Sequence, residues 1–293
     1  MGAVRGPDGE HCYGFFYVPA RRAERTRRIF KEKERLSVRL ENIAWPRAEK
    51  YFRENDTVLV AVGSCECHGR HLPLGTDTII PNRILELIEE KSGVLIAPTI
   101  PYGSTKSLAC YPGTVDIGDE LLCGLLTAVM DSFYRHGARR FVILNGHGGN
   151  IKPIENVGFD FEKRGCLVAL LNWWLMAWDM DPAWKGGHGG GEETAGVMGV
   201  DPALVDRGEI GGPLEYVHLS DQFETTGFRS VKYKGVNIEI LRPVDHVTST
   251  GGWIGPDHPS TATEEWGREM LQTCADYIVD FMEEFKKLPL PEK

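Results

Sequence analysis

The sequence predicts an α/β fold of three layers, a mostly parallel sheet flanked by helices on both faces. Three observations predict it. Short apolar runs at 58–62, 94–97, 141–144 and 167–171 read as buried strands. Longer segments between them place apolar residues at helical spacing. Both histidine-rich segments directly follow a strand, where α/β sheets collect ligands beyond the carboxyl ends of their strands.

The elements follow in order. Residues 58–62 form the first strand, and 79–90 a helix with Ile80, Ile84, Leu87 and Ile88 on one face, ended by Ser92-Gly93. Residues 94–97 form the second strand, followed by the turn-rich P-T-I-P-Y-G-S-T-K-S and by Pro112-Gly113-Thr114. A helix over 119–136 is expected to bury Leu122, Leu125, Leu126, Val129 and Phe133. The third strand, 141–144, runs into N-G-H-G-G-N; a helix over 151–164 closes at Gly165, and 167–171 is the fourth strand. Beyond Asp201-Pro202 the chain is polar and irregular, with short strands expected near Val231 and Ile238. A last helix, 261–285, carries Trp266, Met270, Cys274, Ile278 and Phe285 as its apolar stripe.

Residues 1–37 read as an N-terminal extension, and 38–293 as one domain. The basic stretch R-R-A-E-R-T-R-R-I-F-K-E-K-E-R has interleaved glutamates, which a transit peptide avoids. It is expected to be a solvated helix or an arm used in subunit contacts. The net charge of −9 over 293 residues argues against a nucleic-acid or anionic-membrane partner. No apolar run is long enough to span a bilayer, and M-G-A-V-R-G-P-D-G-E lacks the apolar core of a secretory signal. Seven irregularly spaced cysteines suit reduced thiols. The expectation is a cytoplasmic protein acting on a small molecule.

The chemistry concentrates in S-C-E-C-H-G-R-H-L-P-L-G-T-D, residues 64–77. In an extended segment side chains alternate, so Glu66 and His68 project together while Cys65 and Cys67 face the other way. With Asp77 returning after the Pro-Leu-Gly bend, this is a mixed oxygen and nitrogen donor set for a divalent cation. Thiolate ligation by Cys65 and Cys67 is the weaker reading, since no second cysteine pair exists. N-G-H-G-G-N could cradle a phosphate, but it matches neither established glycine-rich pattern. His147 amid glycines suits a ligand better, braced by Asn145 and Asn150. A third segment, G-G-H-G-G-G-E-E-T-A, sets His188 just ahead of a helix bearing Glu192 and Glu193. Glu66, His68, Asp77, His147 and Glu193 are enough donors for two ions if one carboxylate, Asp77, bridges them. Such a pair can share a hydroxide and polarise a carbonyl. No G-x-S-x-G elbow is present. Nothing near Cys65 or Cys67 is placed to activate a thiolate. Four indoles, Trp173, Trp174, Trp178 and Trp184, form either a core or interface layer or an aromatic wall around a planar substrate. Arg70, Tyr102, Trp173, Trp174 and Trp184 are the candidate substrate contacts.

Residues 62–77, N-G-H-G-G-N at 145–150 and H-G-G-G-E-E-T at 188–194 together resemble the creatininase family of metal-dependent amidohydrolases. Pro112-Gly113-Thr114 and G-P-D-H-P-S-T-A-T-E-E-W-G extend the resemblance over about residues 38 to 285. It implies a flavodoxin-like fold and two divalent ions, zinc or manganese with iron as a further option. A hexameric homo-oligomer is implied too. It also implies Glu66, His68, Asp77, His147 and Glu193 as ligands, Asp77 as the bridge, and His188 as the acid/base. This chain departs from the pattern at Gly149, where creatininase itself has a metal-binding glutamate. It departs also at Cys67, Arg70, Leu108 and Gly191, changes that point away from creatinine. The expected activity is hydrolysis of a small cyclic amide, formamide or related carbonyl compound. The alternatives are ring opening of a cyclic polyol ketone such as an inosose, and a non-catalytic metal-binding scaffold or sensor.

Overall fold

In the computed structural model, residues 38–89 and 91–292 are described. The expected arm at 1–37 lies outside them. Helix α1 (Trp45–Glu54) leads into β1 (Thr57–Val62), α2 (Thr76–Glu89), β2 (Leu95–Ile96), α3 (Gly118–Arg135), β3 (Arg140–Asn145), α4 (Ile151–Glu162) and β4 (Leu167–Asn172). The four strands form a wholly parallel sheet in the order β2-β1-β3-β4. Every residue of β1 is buried, as expected of a strand covered on both faces. Alternate side chains part to the two faces. Leu59, Ala61, Val142 and Leu144 meet α2 on one side, while Val58, Val60, Phe141 and Ile143 meet α3 and α4 on the other.

Register sets the position of the site. Val62 pairs with Asn145, and Asn145 with Asn172. Three strands therefore end level, and the segments beginning at Gly63, Gly146 and Trp173 leave from one edge.

Several helices differ from their expected faces or bounds; the last, expected from 261, starts at Glu264, and the one expected over 151–164 ends at Glu162. Helix α2 starts at Thr76, not 79, so Asp77 sits in its first turn, where a carboxylate is favoured by the helix dipole. In α3 the buried stripe is Leu122, Leu126, Met130 and Phe133. Leu125, expected inside, is 38% exposed, because it lies on the flank of a stripe that advances about one turn at a time.

After β4 come α5 (Trp173–Met180) and α6 (Gly191–Val200), then a three-stranded antiparallel sheet of β5 (Phe223–Thr225), β6 (Ser230–Tyr233) and β7 (Val236–Glu239). Helix α7 (Glu264–Phe285) starts at a Thr263 cap that accepts from the Trp266 backbone N–H, and it packs on α6 and α2. At the α6–α7 crossing, a Cβ on Gly267 would stand 1.8 Å from the Ala195 carbonyl oxygen. Gly267→Ala should therefore force the helices apart and cost about 1–3 kcal/mol, read as a lower midpoint in urea denaturation. An unchanged midpoint would show that this contact does not fix the crossing. No helix among the described residues is long and apolar enough to cross a membrane.

Candidate active site

The three segments leaving the sheet edge bring Glu66, His68, Asp77, His147, His188 and Glu193 together. His68 Nε2 lies 2.9 Å from Asp77 Oδ1 and 3.6 Å from Glu193 Oε2. His147 Nδ1 lies 3.0 Å from Asp77 Oδ2 and 3.1 Å from Glu66 Oε1. Two triads result, Glu66–Asp77–His147 and His68–Asp77–Glu193, and Asp77 belongs to both. A third grouping, Glu66–His68–His188, has His188 Nδ1 3.8 Å from Glu66 Oε1.

Each imidazole is held from behind by a backbone carbonyl. His68 Nδ1 is 3.1 Å from Glu66 O, His147 Nε2 is 2.8 Å from Ser104 O, and His188 Nε2 is 2.8 Å from Cys67 O. A nitrogen facing a carbonyl must carry the proton, so in the neutral ring the other nitrogen presents a lone pair to the cluster. This is how metal-ligating histidines are oriented. A Cβ at Gly149 would fall 2.0 Å from Ser104 O and 2.4 Å from His147 Nε2. The departure at 149 thus leaves the space that the His147 tether occupies. On the carboxylate side, Ser64 Oγ donates to Asp77 Oδ2 at 2.7 Å and the Gly189 N–H to Glu193 Oε2 at 2.6 Å.

Both Glu66 oxygens are buried without a hydrogen bond. An isolated buried carboxylate is costly and persists only with a countercharge. Burial raises the Glu66 pKa against the pull of His147, and raises Glu193 to about 7 against that of His68. Burial disfavours charge on His68 too, yet Asp77 and Glu193 lift it to about 10. His147 likewise rises well above its ordinary value through Glu66 and Asp77, despite burial. Burial also opposes ionisation of Asp77, but His68 and His147 hold it far below the usual carboxylate range. The cluster thus demands positive charge at two places, and protons on two imidazoles supply it when nothing else does. The buried orphan oxygens, the inward lone pairs and the oxygen-nitrogen donor mixture all fit divalent cations.

His188 differs. Burial and the neighbouring His68 push it well below its ordinary pKa. Its ring meets Phe228 edge-on, with centroids 5.4 Å apart. The backbone N–H of Glu192 donates to Asp257 Oδ2 at 2.7 Å, and the same carboxylate lies against Gly186, Gly190 and Gly191, where a Cβ would come within 2.5–2.9 Å of its oxygens. Asp257 therefore ties down the loop that carries His188. Nothing in G-P-D-H-P-S signals this role, which depends on a chain reversal bringing residue 257 under the glycines.

A cavity of about 1040 Å³ opens over the cluster, walled by Glu66, Asp77, His147, His188, Glu193, Trp174 and Trp178 among others. Trp178, one of the four indoles of the expected aromatic wall, lines the cavity, and its Nε1–H donates to Glu192 Oε1 at 2.7 Å. Trp173 is instead a core residue, 1% exposed, and Trp184 packs against the same core away from the cavity. Arg70 points outward to Glu209 at 2.6 Å. Tyr102 is 47% exposed and does not line the cavity. Cys67 faces away from the cluster, toward Leu108, Val244 and Ile254.

A parallel sheet whose strand ends gather carboxylates and imidazoles around a cavity defines the class: an α/β protein with a centre suited to cation-assisted chemistry. Comparison with known proteins gives the family. The Creatininase profile, described as creatinine amidohydrolase, matches residues 41–282, and the chain belongs to this family of hydrolases acting on C–N bonds. It is 30% identical to a creatinine amidohydrolase of Pseudomonas putida over 194 residues, 58% of this chain and 74% of that one. It is also 30% identical to a mycofactocin precursor peptide peptidase of Mycolicibacterium smegmatis over 239 residues, 75% of this chain and 83% of that one. A crystal structure of creatinine amidohydrolase superposes with a TM-score of 0.68 at 24% identity, covering 86% of this chain and 99% of that one. That likeness supports the fold.

Proposed function

We propose that this hydrolase cleaves the C–N bond of a small cyclic amide, formamide or related compound. Two divalent cations, zinc or manganese, would be held by Glu66, His68, Asp77, His147 and Glu193, with Asp77 shared. The observation that carries this reading is the pair of buried, unbonded Glu66 oxygens beside two triads that share one carboxylate. When bound, such ions supply Lewis acidity, which makes a water acidic and polarises the carbonyl it attacks.

The chain's own residues do the rest. Trp174 and Trp178 give the cavity flat apolar walls that stack a planar amide and exclude bulk water. His188 is tethered through Nε2, so Nδ1 is the atom free to exchange a proton. With its pKa lowered it enters the cycle neutral. It takes the proton released as the water adds, and returns it to the nitrogen as the C–N bond breaks. Water adds across the bond, giving an acid and an amine.

Metal-loaded protein incubated with lactams, formamides, short peptides and inososes tests this. Amine release from a member of the first three groups is the expected result. Turnover of an inosose alone would assign C–C ring opening, and metal retained without turnover of any compound would favour a scaffold or sensor.

A further inference from the structure

The cavity is larger than its cation-binding end requires. Ligand pockets span roughly 300–1,000 Å³, and at about 1040 Å³ this one would leave a bare small ring mostly unsupported. Its remaining wall is cationic. Lys106, Lys152, Arg229 and Arg242 line it, against two carboxylates outside the cluster and its helix, Asp119 and Glu239. Asp119 is already engaged by Ser104 and Lys106. Among the described residues Arg242 bonds neutral acceptors alone, the carbonyls of Val217 and His246 and the Thr225 hydroxyl, and its Nε is buried without a partner.

These cations stand out in a chain of net charge −9. Nor do they serve the cluster, because two divalent ions more than neutralise its three carboxylates. Phe228 and Arg229 both line the cavity. The Phe228 ring touches His188, and the next residue is Arg229. A ligand lying along Phe228 reaches from the acid/base histidine to the cationic wall.

We propose that the substrate is a small organic anion, with the scissile amide at the cluster and a carboxylate or phosphate held by Lys152 and Arg229. This inference rests on the reading of the cluster as the hydrolytic centre. A multivalent anionic polymer is disfavoured by the negative body of the protein, with its net charge of −9.

The test uses the full chain loaded with zinc and three matched probes: N-acetyl-β-alanine, N-acetylethanolamine and its phosphate ester. Binding is read from indole fluorescence, since Trp174 and Trp178 line the cavity, and metal content is measured in parallel. The acidic probes should bind at least about tenfold tighter than the neutral one, with an affinity that falls as salt rises. The Lys152→Met/Arg229→Met double variant should lose that preference while keeping its metal. The tighter acidic probe tells whether the natural group is a carboxylate or a phosphate. Equal binding of all three probes, no binding of the acidic ones, or an unchanged preference in the double variant overturns the inference, with the hydrolytic reading left standing. A chain that takes up no metal yet keeps the preference overturns the hydrolytic reading and leaves the anion site.

Discussion

Glu66→Gln should empty the site and stop turnover without harming the fold. Among the described residues, Glu66 belongs to two of the three possible cation groupings, and its two oxygens are buried without a hydrogen bond. Glutamine keeps the shape and removes the charge. Losing an outer partner of a metal ligand already costs about 10–100-fold in affinity, so losing the ligand should exceed ~100-fold, with activity falling to the detection limit. The metal-free variant should still unfold cooperatively but melt lower than metal-free wild type, since the amide removes the charge that faces His147 Nδ1 at 3.1 Å. Metal content by elemental analysis, together with a melting curve, checks both halves. Full metal content in the variant would remove Glu66 from the ligand set.

His188→Ala should separate chemistry from metal binding. A positioned acid/base contributes about 10²–10⁴-fold to rate, so kcat should fall by that order while metal content stays at the wild-type value. The distinction has force because His188 Nδ1 lies 3.8 Å from Glu66 Oε1 and shares a possible cation grouping with Glu66 and His68. If His188 were a ligand, the variant would lose an ion along with its rate. Metal analysis and single-turnover kinetics on the same preparation decide between the two.

How much of this was legible from residues follows from how local each signal is. The strands β1 and β3 were readable because a parallel strand covered on both faces is a continuous apolar run; β4 is as apolar from Leu167 to Leu171, yet at the end of the sheet order it buries Leu171 alone. The pairing of Glu66 with His68 was readable because alternation in an extended segment is local geometry. That the three segments converge needed only the rule that parallel strands end on one edge, and the level ends of Val62, Asn145 and Asn172 satisfy it.

The aromatic wall was harder. Trp173, Trp174, Leu175, Met176, Ala177 and Trp178 are apolar without interruption, so no amphipathic stripe fixes the phase of α5 or says which indole meets the cavity. The far wall was invisible for another reason. Arg229 and Arg242 sit around a small sheet in an irregular region, whose placement is set by long-range packing. Arg70 sits amid the candidate cation ligands in sequence, yet its flexible stem turns outward to Glu209; nearness along the chain did not translate into nearness at the site.

The most direct measurement is anomalous diffraction from crystals of the metal-loaded protein, collected at the absorption edge of the bound element. Two peaks flanking the Asp77 carboxylate are expected, one toward Glu66 and His147 and the other toward His68 and Glu193. Peaks elsewhere, or a single ion held without Asp77, would contradict the account.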